Sequence, residues 1–137
     1  MKVWTKEITF PTSKEIELVN ITSEVEKILE ESEVKEGICI LFAPHATGML
    51  IINEDEPGLK EDILQSLQRL IPKKANYRHD EIDDNAFSHI LSALIGTEKA
   101  IPVKNGRLQL GTWQEIFFVE TDGPRERRRV VVTIIGN

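Results

Sequence analysis

From Ile101 onward the chain keeps a strand-like pattern with no helical stretch, and this decides which class of fold it can reach. Ile101-Pro102-Val103 and the pair Leu108 and Leu110 flank Lys104-Asn105-Gly106, and an Asn-Gly step between apolar runs predicts a hairpin. Ile116 to Val119 and Val130 to Ile135 read as two further strands, with Asp122-Gly123-Pro124 as the turn between them. Helical patterns are confined to the earlier part. Trp4, Ile8 and Phe10 share one parity, and Ile16 and Leu18 alternate with Glu15 and Glu17, so two half-buried strands are expected around Pro11-Thr12-Ser13. Ser23 and Glu26 resemble a capping box ahead of the stripe Ile21, Val25, Ile28, Leu29. Ile38 to Phe42 and Met49 to Ile52 are short continuous apolar runs, which suit strands buried on both faces.

Asp55-Glu56-Pro57 starts a second helix with proline at its first position; Leu59, Ile63, Leu67, Leu70 and Ile71 make its apolar stripe before Pro72. A third helix is expected over Asp83 to Ile95, with Phe87, Ile90, Leu91, Leu94 and Ile95 inward and Asn85, His89, Ser92 and Gly96 on the opposite face. The predicted order, β-β-α-β-β-α-α-β-β-β-β, is α+β with a mixed or antiparallel sheet. No glycine-rich dinucleotide or phosphate loop is present.

A length of 137 residues suits one domain, and no linker or repeat divides it. The net charge of −6 argues against a general nucleic-acid binder, because phosphate neutralisation needs a basic surface. No run approaches the roughly 20 apolar residues that span a bilayer. With one cysteine, Cys39, inside an apolar run, no internal disulfide can form. An acid near the start of the chain stands where a signal peptide would be apolar, so the cytoplasm is the expected compartment.

The three histidines, His45, His79 and His89, all fall in polar, turn-like settings. Neutral imidazole is the commonest nitrogen ligand for zinc-like ions, and three of them leave a coordination position open. Zinc is the default among metals that suit imidazole.

Four segments carry a resemblance to the YjbQ-like family over nearly the whole chain. They are Pro44-His45-Ala46-Thr47-Gly48 leading to Ile52-Asn53-Glu54; Tyr77-Arg78-His79-Asp80; Asp84-Asn85-Ala86-Phe87-Ser88-His89; and Gly106-Arg107-Leu108-Gln109-Leu110-Gly111-Thr112-Trp113-Gln114. Glu120-Thr121-Asp122-Gly123-Pro124-Arg125 is similar to a further motif of that family. The resemblance implies a mixed sheet bent into a half-barrel with helices on one face, three copies around a threefold axis, and a site around the three histidines. It also implies a weak or secondary thiamine-phosphate-synthase-like activity, in which a pyrimidine pyrophosphate loses pyrophosphate as a thiazole nitrogen attacks its methylene carbon. Family members often carry a hydroxyl residue where this chain has Ala46, which leaves Thr47 as the side-chain hydrogen-bonding residue of that loop.

Around the histidines, Asp80, Glu81 and Asp84 could orient imidazoles, or simply cap a helix and solvate a loop. Asn53 and Glu54 emerge at a strand end, where Glu54 could act as general acid or base beside a metal-bound water, or serve as a helix-start acid. Trp113 could stack on a planar ring and Gln114 hydrogen-bond its edge, next to Thr112; a core or trimer-interface plug is the rival reading of Trp113. Arg125, Arg127, Arg128 and Arg129 offer guanidinium forks to phosphate, but strand alternation keeps all four from meeting one ligand, and Arg125 is the candidate. The expected catalytic residues are Glu54, Asp84 and His89. The substrate-binding set is Asn53, Thr47, Thr112, Trp113, Gln114 and Arg125; the metal ligands are His45, His79 and His89. The expected activity is a metal-assisted enzyme acting on a small phosphorylated heterocycle. Metal-dependent hydrolysis fits the same residues, and a trimeric metal- or ligand-binding protein without turnover is the alternative.

Overall fold

The alternating first segment becomes β1, Lys2–Phe10, and the computed structural model describes the chain from there through all of residues 1–137. It continues as β2 (Glu17–Asn20), α1 (Thr22–Ser32), β3 (Gly37–Phe42), β4 (Gly48–Asn53) and α2 (Pro57–Leu70). A 3-10 turn at Arg78–Glu81 leads into α3 (Ala86–Ile95), then β5 (Glu98–Lys104), β6 (Arg107–Leu108), β7 (Glu115–Glu120) and β8 (Arg128–Gly136). The α+β order read from sequence therefore stands, with the short 3-10 turn added. Every ladder is antiparallel, so the mixed sheet implied by the resemblance is corrected to an antiparallel one.

The strands form a five-stranded sheet, β1-β8-β3-β5-β6, and a three-stranded sheet, β2-β7-β4. Ala43 N–H to Thr97 O (2.8 Å) extends the β3–β5 ladder, and Leu50 N–H of β4 to Gly96 O (3.2 Å), just ahead of β5, joins the two sheets, which curl into a half-barrel. Its interior holds Val25 and Leu29 of α1 with Cys39, Leu41, Leu50, Ile116, Phe118, Val130, Val132 and Ile134. On the far side of the small sheet, Met49 and Val119 pack with Phe87 and Leu91 of α3, and Leu67 and Ile71 close the edge of this second cluster. β4 and β7 are thus covered from both sides, as continuous apolar runs require.

β3 departs from that expectation. Cys39 and Leu41 point inward, but Ile38 and Phe42 are 48% and 45% exposed. The pairing register extends this into rows across the outer surface of the large sheet: Val3, Ile135, Ile38 and Pro102, then Thr5, Thr133, Ile40 and Ala100, then Glu7, Val131, Phe42 and Glu98. No helix of the chain covers this mostly apolar face.

Local starts and stops explain the remaining differences. The Ser23–Glu26 capping box does not form: Ile21 is the cap, and the Asn20 Oδ1 accepts from Thr22 N–H (2.9 Å) instead. Pro57 does open α2, with the Glu56 carboxylate accepting from Leu59 N–H (2.6 Å). In α3 the helix starts at Ala86 and its inward face is Phe87, Ser88, Leu91 and Ser92, while Leu94 is 63% exposed. Ser92 Oγ donates to Gly48 O (3.2 Å), so a small hydroxyl takes a buried position that apolar periodicity assigns outward. Asn105 and Gly106, at φ 54° and 73°, make the expected tight hairpin, since both turn positions need the left-handed region. No helix is long and apolar enough to cross a membrane.

Candidate functional site

The polar segments that carry the resemblance meet where β4 begins, β7 ends and α3 begins. Glu120, the last residue of β7, and Arg128, the first of β8, face inward and are both almost fully buried. The Arg128 Nε and Nη2 donate to the two oxygens of Glu120 at 2.8 and 2.6 Å, a bidentate pair that leaves little freedom to either strand end. Further hydrogen bonds engage both groups. Thr12 Oγ1 donates to Glu120 Oε1 (2.8 Å), Asp122 N–H donates to Oε2 (2.9 Å), and Arg128 Nη2 donates to the Thr47 carbonyl and hydroxyl, both at 3.2 Å. One buried pair therefore holds the loop containing His45 and Thr47 and the turn containing Asp122 and Arg125 in fixed relation. Gly48 is required in the same loop, because a Cβ there would lie 2.5 Å from the Phe118 ring.

Above this support lies a relay of side chains. Arg125 Nη2 donates to Asp122 Oδ2 (2.8 Å) and its Nε to the Asp122 carbonyl (2.9 Å). Asn85 Nδ2 donates to the same Asp122 Oδ2 (2.9 Å), and Asn85 Oδ1 lies 3.1 Å from His79 Nε2. The His79 and His89 rings then meet edge to face with centroids 4.7 Å apart. Burial pushes the Asp122 carboxyl up, but hydrogen bonds from Asn85 and Arg125, the guanidinium charge and the Thr47 hydroxyl outweigh it and hold the group below the usual carboxylate range. Asp80 Oδ1 accepts from Ala86 N–H (3.1 Å), so it, rather than Asp83 or Asp84, serves the start of α3.

The sequence-derived site residues fall into four places on the chain. His79 and His89 are together, joined through Asn85 to Asp122 and Arg125. His45 stands apart from them: its Nε2 accepts from Arg129 N–H (3.0 Å), and its ring meets Phe118 edge-on at 6.1 Å. It shares a shallow depression with Glu7, Arg127 and Arg129, at one end of the uncovered sheet face. Partial burial lowers the His45 pKa, and the Arg128 guanidinium adds to the effect. A second depression holds Glu54 with Asp55, Glu56, Thr112, Trp113 and Glu115. There Trp113 is 71% exposed, which removes the core-plug reading within the chain. Gln114 Oε1 accepts from Gly111 N–H (2.7 Å), leaving its amino group free to donate, and Asn53 Oδ1 accepts from Glu54 N–H (2.8 Å). Asp84 belongs to another surface, with Lys73, Lys74, Asn76, Asp80 and Asp83. Thr47 is occupied internally by Arg128.

No group of three or more histidine, cysteine or acidic side chains in the protomer is disposed to hold a metal ion. The donor set stops at two imidazoles. The sequence places Asn85 on the outer face of a helix, Asp122 and Glu120 in a turn motif and Arg128 in an arginine cluster, and gives none of them this role. A signal existed for Glu120 and Arg128. Glu120 has the parity of the inward Ile116 and Phe118, and Arg128 that of Val130 and Val132, so two opposite charges were written into buried positions.

The comparisons agree with the fold. Residues 6–137 match the family model described as UPF0047 protein YjbQ-like. A UPF0047 protein of Archaeoglobus fulgidus is 44% identical over 125 residues, covering 91% of this chain and 97% of that one. A second, from Methanothermobacter thermautotrophicus, is 45% identical over 136 residues, covering 99% and 94%. Among solved structures, a YbjQ-like protein of unknown function from Sulfolobus solfataricus superposes with a TM-score of 0.98 at 43% identity, covering 99% of each chain. An uncharacterized conserved protein from Clostridium acetobutylicum gives 0.90 at 41% identity, covering 95% and 99%.

Proposed function

Because the chain belongs to the UPF0047 family of YjbQ-like proteins, we propose that it is a metal-assisted enzyme for a small phosphorylated heterocycle, its site completed between copies of a trimer. The observation that carries this is the His79–His89 pair, two imidazoles in contact at the end of a relay that reaches Arg125. Imidazole nitrogens suit zinc-like ions, and an open catalytic site takes three protein ligands. His79 and His89 fit two of those positions; His45 of a neighbouring copy would supply the third. A bound divalent metal would neutralise charge on a departing phosphate.

The chain's own residues have separable tasks. Arg125 keeps its side chain half exposed while Asp122 fixes its direction, so its outer edge can take phosphate oxygens. Trp113 offers an open ring face for stacking, and the free amino group of Gln114 a donor for a heterocycle edge; Thr112 borders them. Glu54 and Asp84 are the acid–base candidates, and Asn53 orients the backbone beside Glu54. These groups lie at separate places in one protomer, and threefold association is what would bring them together. The uncovered apolar face of the large sheet, with His45 at its end, supports such association. Loss of pyrophosphate from a pyrimidine as a thiazole nitrogen attacks is the specific transfer this reading favours; hydrolysis of a related phosphorylated compound uses the same groups.

A second reading has its own support: with Glu54 and Trp113 remote from the histidines in the protomer, the protein would be a trimeric metal or ligand binder without turnover. Protein prepared without a histidine tag and loaded with zinc or cobalt is assayed on phosphorylated pyrimidine and thiazole substrates. Enzyme function predicts turnover that His89→Ala abolishes while trimer and fold persist. Mixed trimers of His45→Ala and His89→Ala subunits should regain part of it, because some interfaces then combine intact halves. Metal binding without turnover on any of these compounds selects the binder.

A further inference from the structure

We infer that Asn85 locks the His79 ring in the Nε2–H tautomer, so that the Nδ1 lone pair is the atom His79 presents to a ligand. The argument runs along the relay from its charged end. Asp122 is a carboxylate and can only accept hydrogen bonds, and the Arg125 guanidinium beside it can only donate. The Asn85 atom 2.9 Å from Asp122 Oδ2 must therefore be the amino nitrogen. Reversing the amide would set two acceptor oxygens against each other with no proton between them.

With the amino group committed, Asn85 Oδ1 faces His79 Nε2 at 3.1 Å, and an oxygen acceptor there requires a proton on Nε2. A neutral imidazole protonated at one nitrogen carries its lone pair on the other. The ring cannot readily turn away. The His79 carbonyl accepts from Ile82 N–H (3.1 Å) and Asp83 N–H (3.0 Å), which fixes its backbone, and His89 packs edge-on against the ring. Asn85 itself is buried at the start of α3. Asn85 is thus a positioning residue, acting through His79, and Asp122 sets the direction of its amide.

The locked tautomer has a chemical consequence for what can bind. A lone pair at Nδ1 takes a cation or a proton donor and repels anionic oxygen. A phosphorylated ligand would then approach His79 through a metal ion or a ring N–H, with its phosphate directed toward Arg125. This last step rests on the proposed function; the tautomer does not.

The test is long-range proton–nitrogen correlation NMR on nitrogen-15-labelled full-length protein, without metal or substrate, at about pH 8, above the ordinary histidine range. His79 should show one tautomer, Nε2–H, favoured by about tenfold or more over the other, as a part-buried hydrogen bond to an acceptor that cannot donate implies. Asn85→Ala should relax His79 to the tautomer mixture of free imidazole. Should that variant fail to fold, Asp122→Ala releases the amide and should shift His79 in the same direction. A wild-type ring protonated on Nδ1, a wild-type ring with the free-imidazole mixture, or a tautomer ratio unmoved in the folded variant would each overturn the inference. A locked tautomer in a protein with no metal affinity and no turnover would sink the proposed function alone.

Discussion

The two most instructive single residues behave oppositely with pH. Asp122 has its folded pKa held below the ordinary 3.8, so the stability its partners confer is complete above that value and lost as pH falls through the lower, folded one. Asp122→Asn should therefore be less stable at neutral pH and show a shallower loss between pH ~5 and ~2, read from urea midpoints across that range. Burial pushes the Cys39 thiol up to about 12, and its side chain is fully enclosed among Leu41, Ile101 and Val132. The thiolate is the reactive form, so Cys39 should resist thiol reagents at pH 8 in the native protein and react fully in denaturant. A fast native reaction would show that the core opens locally.

Among elements, the join between β7 and β8 carries the largest single electrostatic commitment. Breaking a buried ion pair from one side leaves a charge with no partner, at about 3–5 kcal/mol. Arg128→Met should destabilise the fold by that order, and Arg128→Met with Glu120→Gln should recover much of it, both measured by denaturant unfolding. Additive losses would mean that the pair is not coupled. This join also shows what was legible beforehand. Pro57, the Asn105–Gly106 turn and the succession of strands and helices along the chain could be read because each depends on local backbone chemistry. The inward face of α3 could not, because Ser88 and Ser92 are buried to reach the Thr47 and Gly48 carbonyls, a long-range demand that apolar periodicity does not encode. The candidate site was legible in its residue types but not in its grouping. Nothing in the spacing of His45, His79 and His89 tells that two share a turn–helix junction while the third is held by the backbone of β8.

For the whole molecule, the outer surface of the large sheet is the face on which the proposed association of copies rests. Val3, Ile38, Ile40, Phe42, Val131 and Ile135 lie on it, and burial of such apolar area stabilises association at roughly 25 cal/mol per Å² before the entropic losses of binding. The proposed function predicts that the parent chain is a trimer by light scattering and that introducing charge there, as in Ile38→Glu with Phe42→Glu, yields folded monomers. Retention of the trimer would place the contact elsewhere and remove the support for a shared site.

The order of strands in that sheet has a bearing on synthesis. β8 lies between β1 and β3 and pairs with both along its length, yet it is the last strand to be made. A nascent polypeptide still lacking it has its first strand without a neighbour and its largest sheet divided, so the half-barrel cannot close until the ribosome has delivered Arg128–Gly136. Closure between such distant partners is slow by nature. Until then the apolar interior stands open, and a chaperone has its longest opportunity to act.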